Sequence, residues 1–512
     1  MALLTLLPGA GRAADTAAPA ALWVRDGRLT RQALELLAIM RRAADFGLAP
    51  GDFSNVTALD DADADPGDPR QMDARLSTAA LRLVQQLHQG RVDPSLAGYA
   101  LRRHRPPIDG ADALRRLAAA TDVGLELQTF EPKSAQYHEL ERVLARYRRI
   151  SAEQPSFAAA AAAGAAVRPG EAFADAGLLR RWLAELGDLA DPPAGTTPDD
   201  RYDPDLSAAV ARFQKRHGLT PDGILGKKTL SALAVPLARR IRQIELTLER
   251  WRWLPDLAPP AVIVNVPQYV LYALRDPSHP AADGSPVLRI PVIVGQTLRQ
   301  TPIFDSAIQA VVFRPYWNVP ESIVHDEILP AIARDGTYLA RHELDIVRGD
   351  GDAAQVLPVT PGAIAALRAG RAGLRQRPGP NNSLGLIKFE LPNPYSVYLH
   401  STPEMGLFAR EQRALSHGCI RVSDASALAT YLLSETPGDW SAGAIETATC
   451  GPDNLTVRLA RPVPIFILYG TAVIDADGSV MFFDDVYGYD GLLDALLEGR
   501  TTPFAGRSAG TR

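Results

Sequence analysis

Apolar positions recur with a helical period through the first third of the chain. Ala33, Leu37, Met40 and Ala44 share one face, Thr30 stands where an N-cap belongs and Gly47 supplies a stop, which predicts a helix. Leu76 to Gln89, ended by Gly90, and further runs from Ala111 and from Tyr137 to Ile150 repeat the pattern, so residues 24–155 read as a helical scaffold domain. The Ala-rich stretch within 156–174, with Gly164 inside it, reads as a linker. A compact unit at 175–235 follows. Leu178 to Leu186 is closed by Gly187; Leu206, Val210 and Phe213 form the stripe of a second helix ending at Gly218; Leu230 and Leu233 mark a third after an Asp222-Gly223 turn. Beyond Pro260 the period becomes that of strands. Val262-Ile-Val-Asn-Val266, Val292-Ile-Val294, Ala310-Val-Val-Phe313, Tyr395-Ser-Val-Tyr-Leu399 and Ile465-Phe-Ile-Leu-Tyr469 are short β-branched and aromatic runs bounded by Pro, Gly and Asn. A charged, helix-prone insertion at 322–382 interrupts this domain, which spans 258–472, and residues 473–512 form a C-terminal extension. A long insertion just before a strand that carries chemistry predicts a lid, with Gly349-Asp-Gly351 and Pro378-Gly379-Pro380 as turn points. The expected fold is multidomain α+β: helical scaffold, small three-helix module, and a mostly β domain with a helical lid insertion.

Composition narrows the function classes. A chain of 512 residues is long enough for about three domains at roughly 150 residues each. With 46% hydrophobic and 22% charged residues it is globular, and a formal charge of -5 argues against a nucleic-acid partner. Two cysteines exclude a disulfide framework and a cage of several thiolates. The opening Met1-Ala-Leu-Leu-Thr-Leu-Leu7, with small residues at Gly11-Arg12-Ala13, resembles a truncated signal region covering 1–23, which implies export. No later stretch reaches the roughly 18–20 apolar residues of a membrane span.

The sharpest local feature is Ser416-His417-Gly418-Cys419-Ile420-Arg421, with His400 at the end of a strand 19 residues before Cys419. A thiol, an imidazole able to act as its base and an adjacent glycine are the parts thiolate catalysis requires. Gly418 allows close backbone approach, so the amides of Gly418 and Cys419 are candidates to face an oxyanion. Ser423 or Asp424 can cap the helix from Ala425 to Leu433, whose positive end favours a thiolate. Tyr398 lies two residues before His400, so both project from one side of a strand and Tyr398 borders the same pocket. Zinc on Cys419, His400 and His417 is the competing chemistry, but one residue separates His417 from Cys419 and no fourth ligand has suitable spacing. Cys450 has no His beside it in sequence and reads as a buried structural thiol. Gly223-Ile-Leu-Gly226-Lys-Lys-Thr229 fails as a phosphate-binding loop, which needs four residues between its glycines and a preceding strand.

The run from His400 to Arg421 resembles the active-site signature of the L,D-transpeptidases of the YkuD type. Gly295-Gln-Thr-Leu-Arg-Gln-Thr301-Pro302, Pro315-Tyr-Trp-Asn-Val-Pro320, Pro378-Gly-Pro-Asn-Asn-Ser-Leu-Gly385, Lys388-Phe389 and Tyr469-Gly-Thr-Ala472 resemble the large periplasmic YcbB-like branch. Ala211-Arg-Phe-Gln-Lys-Arg-His-Gly-Leu219 and Asp222-Gly-Ile-Leu-Gly226 resemble a peptidoglycan-binding domain. The resemblance implies Cys419 as nucleophile and His400 as general base, Gly418, His417 and Ser416 as oxyanion and supporting residues, and Arg421, Tyr398 and Trp317 at the substrate. Arg421 orients either the loop or a substrate carboxylate. Many members have a small or acidic residue after the catalytic His; here Ser401 stands there, so a hydroxyl or a backbone carbonyl has to orient the imidazole.

What the resemblance implies is peptidoglycan transpeptidation in the periplasm. A tetrapeptide stem donates its third residue to Cys419 as a thioester, and the amine of a diaminopimelate-type acceptor stem then takes it, giving a 3-3 crosslink. No cofactor and no metal are implied, and carbapenems are expected to acylate the thiol. Water as acceptor would make an L,D-carboxypeptidase, a protein amine would make a protein-to-wall ligase, and a vestigial Cys would leave a noncatalytic wall-binding protein. The 175–235 module is expected to hold the enzyme on its polymer without contributing catalytic groups.

Overall fold

The computed structural model describes residues 21–58, 68–101, 105–153, 156–157, 166–190, 201–274, 286–349 and 354–500. The leader at Met1–Leu7, the Gly164 tract and Asp350-Gly351 of the expected turn lie outside the described residues. The chain divides into two compact units, one of residues 1–89 with 106–131 and one of 90–105 with 132–512. No described helix is long and apolar enough to cross a membrane.

The first unit is helical, with Arg31–Arg41, Pro69–Gln89, Gly110–Ala119 and Val123–Gln128 as its main helices. Thr30 Oγ1 accepts from Ala33 N at 3.2 Å, the bond that starts the first helix. That helix stops at Arg41; Ala44, expected on its apolar face, falls in a following 3-10 turn that Gly47 ends at φ 68°. Leu36, Leu37 and Met40 pack with Phe53, Leu76, Leu83, Val84 and Leu117 in one core.

In the second unit, packing joins segments that the sequence separates. The helix Ala135–Glu153, read above as part of the scaffold, directs Tyr137, Leu140, Leu144, Tyr147 and Ile150 into a core shared with the three-helix module. That module is built from Ala176–Leu186, Pro204–Arg216 and Lys227–Leu233. Its Trp182, Phe213 and Leu233 meet Ile244 and Leu248 of the helix Leu237–Arg252 and Phe482 of the C-terminal extension. The Asp222-Gly223 turn is fixed by the buried Gln214, which donates to Asp222 Oδ1 at 2.8 Å and accepts from Gly223 N at 2.8 Å. A Cβ at Gly223, where φ is +66°, would stand 2.8 Å from the Ser207 carbonyl, so only glycine fits.

The mostly β domain is a nine-stranded sheet that closes on itself. Strand order is Ala414–Ser416, Pro286–Gly295, Ile420–Val422, Leu399–His400, Ile387–Glu390, Asp305–Phe313, Leu455–Leu468, Ala261–Asn265 and Val270–Leu274. The last strand pairs back onto Pro286–Gly295. Val264, Leu271, Val292, Val311, Phe389, Leu399, Ile420 and Ile465 form its core, as alternation along β-branched strands requires. The insertion contains more than helices. Trp317–Asn318, Gly373–Gln376, Leu344–Arg348 and Gln355–Leu357 make a separate four-stranded antiparallel sheet, packed by Ile346, Leu374, Ile323 and Leu367. Leu344 and Ile346 alternate with Asp345, a strand period flanked by helical segments.

The shared core predicts that the module stabilises the whole second unit. Phe213→Ala, at a ring 2% exposed, should lower the unfolding free energy of the unit by about 3–5 kcal/mol. The shift should appear in urea denaturation of the β domain as well as of the module. A β-domain transition left unmoved would show that the module folds by itself.

Candidate active site

Two strands place the candidate groups. Leu399–His400 and Ile420–Val422 run parallel, with Leu399 beside Ile420 and His400 beside Arg421. Leu399 and Ile420 are both fully buried in the core. Their neighbours Tyr398, His400, Cys419 and Arg421 therefore share the opposite face. The antiparallel strand Ile387–Glu390 adds Lys388 directly opposite His400. One row of the sheet thus reads Lys388, His400, Arg421, with the thiol one step behind.

His400 is buried, 5% exposed. Its Nδ1 lies 2.6 Å from the Ser401 carbonyl, which fixes the proton on Nδ1 and leaves Nε2 as the basic nitrogen. The Ser401 hydroxyl is occupied elsewhere: it accepts from Leu386 N at 2.8 Å and Ile387 N at 2.9 Å and locks the preceding turn. Of the two orienting groups open to the sequence, the carbonyl is the one the structure uses. Burial holds the imidazole down to about 4, with the Arg421 and Lys388 charges acting in the same direction. Burial pushes the Cys419 thiol up, against hydrogen bonds from Tyr398 and the positive charges of Lys388 and Arg421. Each group is therefore neutral at rest, and among the described residues no hydrogen bond joins the Cys419 thiol to the His400 imidazole. Cys419 Sγ is 3.8 Å from the Ser396 carbonyl, and the Tyr398 hydroxyl lies within hydrogen-bonding reach of both the thiol and Trp317.

The loop around Cys419 is pinned peptide by peptide. Gly418 N donates to Ser416 Oγ at 3.1 Å, and Ser416 Oγ donates to the Cys419 carbonyl at 2.6 Å. Thr301 Oγ1 donates to the Gly418 carbonyl at 2.7 Å, and Ile420 N donates to the Tyr398 carbonyl at 3.1 Å. The Gly418 amide, expected at an oxyanion, is therefore turned to Ser416. The Cys419 amide has no hydrogen-bond acceptor among the described residues. Gly418 sits at φ +116°, a conformation that L side chains rarely adopt.

The other expected residues divide between loop and insertion. Arg421 pairs with Glu404 of the loop that follows His400, a contact that fits the loop-orienting one of its two expected roles. His417 Nε2 lies 2.7 Å from Glu327 of the insertion, and Arg299 pairs with Asp326 at 2.9 Å. Trp317 opens the insertion's sheet and reaches Tyr398. Asp424 rather than Ser423 caps Ala425–Leu433, its Oδ1 accepting from Ala427 N at 2.9 Å. Its carboxylate offsets the positive helix end near the thiol's strand. Cys450 is exposed, contrary to the buried thiol expected. It ends the helix Ala442–Cys450, whose buried positions are Ile445 and Thr449, and one residue past Thr449 turns about 100° away from that face. Thr301, inside the Gly295 to Pro302 motif, holds the Gly418 carbonyl, and the Ser401 hydroxyl locks the turn before Ile387, roles that their motifs do not display. Tyr487 of the extension also reaches this region.

Comparison with known proteins agrees with this architecture. Residues 16–144 match the family described as "Scaffold domain", 174–233 match the "Putative peptidoglycan binding domain" and 259–449 match the "L,D-transpeptidase catalytic domain". A protein of Haemophilus influenzae named "Putative L,D-transpeptidase" is 32% identical over 249 residues, 49% of this chain and 48% of that protein. The match thus spans about half the length of that relative. A solved structure, "L,D-transpeptidase from Mycobacterium smegmatis", is 13% identical, covering 41% of this chain and 58% of that one at a TM-score of 0.19, too low to compare folds. Fold and domain content define a multidomain protein with a helical scaffold, a helical peptidoglycan-binding module and a mostly β enzyme domain. That last domain, containing His400 and Cys419, matches the L,D-transpeptidase catalytic domain family, YkuD, over residues 259–449.

The electrostatics generate two expected outcomes. In a Cys450→Ser background, alkylation of Cys419 by iodoacetamide should rise with a midpoint above roughly 8.5, the value of a free thiol. A plateau reached below pH 7 would instead mark a preformed thiolate–imidazolium pair. For stability, the folded pKa of about 4 lies below the unfolded value of 6.5. The unfolded chain then binds more protons between them, so stability is full above 6.5 and is lost as pH falls toward 4. Urea unfolding should show about 2–3 kcal/mol less stability at pH 4.5 than at 7 from this group, a difference that His400→Gln removes. An equal acid loss in His400→Gln would assign it to other groups.

Proposed function

We propose that this protein is a cysteine-dependent L,D-transpeptidase of the YcbB-like branch that forms 3-3 crosslinks in periplasmic peptidoglycan. The observation that carries the reading is the parallel strand pair that sets Cys419, with its spare amide, on one face with an Nδ1-fixed His400. His400 Nε2 takes the Cys419 proton as Sγ attacks the carbonyl of the third residue of a tetrapeptide stem. The oxyanion is held by the Cys419 N–H. Collapse breaks the bond to the terminal D-Ala, whose amine receives the proton from Nε2, and leaves a thioester. The side-chain amine of a diaminopimelate-type acceptor then attacks; His400 takes its proton, the new amide forms, and the proton returns to sulfur. Each step needs only protons and acyl carbon, so no cofactor takes part. Tyr398 and Trp317 line the donor side. Arg421 holds the Glu404 loop in place, and His417 ties the Cys loop to the insertion.

Of the domain limits, 175–235 as wall-binding module and 258–472 as catalytic domain with insertion 322–382 follow the same reading, while the scaffold of 24–155 gives up the helix Ala135–Glu153, whose apolar face packs with the module. The insertion acts as a lid. The charged contacts supporting its closed position, His417 to Glu327 and Arg299 to Asp326, are exposed pairs, individually worth roughly 0–1 kcal/mol, so opening is cheap.

Cys419→Ala should abolish dimer formation without unfolding the protein, read by mass spectrometry of muropeptides incubated with the pure enzyme. Dimers formed by Cys419→Ala would remove the thiol from the mechanism, and trimmed tripeptides without dimers from the wild type would make water the acceptor. His400→Ala should slow carbapenem acylation at pH 7 by about 10²–10⁴-fold. Amides of 321–341 should exchange fast in the free enzyme and become protected on acylation; uniformly slow exchange in both states contradicts a lid.

A further inference from the structure

The spare amide of Cys419 is held in place by groups that come from two distant parts of the chain. A trans peptide points its C=O and N–H in opposite directions. Whatever fixes the Gly418 carbonyl therefore aims the Cys419 N–H. Thr301, fully buried, is that group. Its Oγ1 accepts from Gly295 N at 2.9 Å, so its one hydroxyl proton is committed to the Gly418 carbonyl at 2.7 Å. The bond requires the 295–301 loop to double back tightly: a Cβ at Gly295 would stand 2.6 Å from Thr301 N.

Tyr487 closes that loop from the C-terminal extension. Its hydroxyl accepts from Thr301 N at 3.2 Å and donates to the Gly295 carbonyl. Burial pushes the phenol up to about 12, so it keeps the proton it donates. Tyr487 is itself anchored, its N–H donating to the Tyr469 hydroxyl at 2.9 Å while that hydroxyl donates to Asp485 at 2.6 Å. Residue 487 lies beyond the 259–449 stretch that matches the catalytic domain family.

We propose that Thr301 is a positioning residue for acyl transfer and that Tyr487 positions Thr301. Together they hold the Gly418–Cys419 peptide with its N–H facing the reacting carbonyl. The inference rests on the acyl-transfer reading of Cys419, and it separates from that reading by the kind of electrophile used. Attack on a carbonyl develops an oxyanion that the amide must meet; alkylation by iodoacetamide displaces iodide at a saturated carbon and develops none.

The test measures both rates at Cys419 in a Cys450→Ser background, in the full chain, with a carbapenem and with iodoacetamide. Thr301→Val should lower acylation about 10²-fold, in the range found when one oxyanion donor is lost, while alkylation stays within about twofold of wild type. Thr301→Ser, which keeps the hydroxyl, should recover most of the acylation rate. Tyr487→Phe should give a smaller loss, about tenfold, with the same selectivity. Unchanged acylation in Thr301→Val, or equal losses in both reactions, would overturn the positioning role, as would equal losses in Tyr487→Phe where Thr301→Val does not fold. A wild-type protein that is alkylated and never acylated would instead sink the acyl-transfer reading, and this inference with it.

Discussion

Every part of the candidate site depends on one short parallel ladder, Leu399 beside Ile420 and His400 beside Arg421. Only two residue pairs are involved, so the ladder's own hydrogen bonds are a weak restraint. The register is held by the side chains facing the other way. Leu399 and Ile420 are fully buried between Phe389, Val292 and Val422, and burying two such side chains is worth roughly 3–6 kcal/mol. A slip by one residue would turn both onto the polar face of the candidate site and drive His400 and Cys419 into the apolar core. The hydrophobic core therefore sets which imidazole and which thiol share a face.

That same burial creates an electrostatic problem that the surrounding groups solve only in part. Desolvation lowers the basicity of His400 and raises the thiol, which disfavours the ion pair in the resting state. Lys388 and Arg421 oppose burial at sulfur yet add to it at the imidazole. A cation near both groups helps the thiolate and hinders the imidazolium, so Lys388 and Arg421 cannot favour the ion pair at both ends. The arrangement suits a site where proton transfer accompanies attack, with charge appearing on an oxygen that an oriented amide meets.

The candidate residues were legible because they are local. His400 ends a strand, and Cys419 lies within a six-residue signature; strand alternation alone brings Tyr398 to the same side. Ser416 two residues before Gly418 is also a local signal: a serine hydroxyl readily takes a backbone amide two positions on, and that bond occupies the Gly418 amide that had been expected to face an oxyanion. What escaped the sequence is packing between distant segments. The stripe on Ala135–Glu153 is equally good for a scaffold or for Trp182 and Phe482, and periodicity does not name the partner. Thr301 and Tyr487 are 186 positions apart, and no local pattern joins them. The strand Leu344–Arg348 was hidden by the helical character of its flanks, although its alternation is plain.

The position of Tyr487 bears on where the unit that carries the candidate site ends. Sheet closure already requires the strand Leu455–Leu468, which pairs with Asp305–Phe313 on one side and Ala261–Asn265 on the other. Past it, Asp490 pairs with Arg250 at 2.6 Å and accepts from Thr471 at 2.6 Å, both carboxylate oxygens being engaged out of solvent. Arg250 in turn donates to the Tyr99 hydroxyl at 2.9 Å. Removing one partner of a buried pair costs about 3–5 kcal/mol, because the other charge remains without compensation. Truncation after 472 would therefore leave Arg250 buried and uncompensated, and would release the Gly295–Thr301 loop that Tyr487 holds. Residues 473–497 are in this sense part of the frame of the candidate site, reaching from the far end of the chain, through Tyr487 and Thr301, to the single peptide plane beside Cys419.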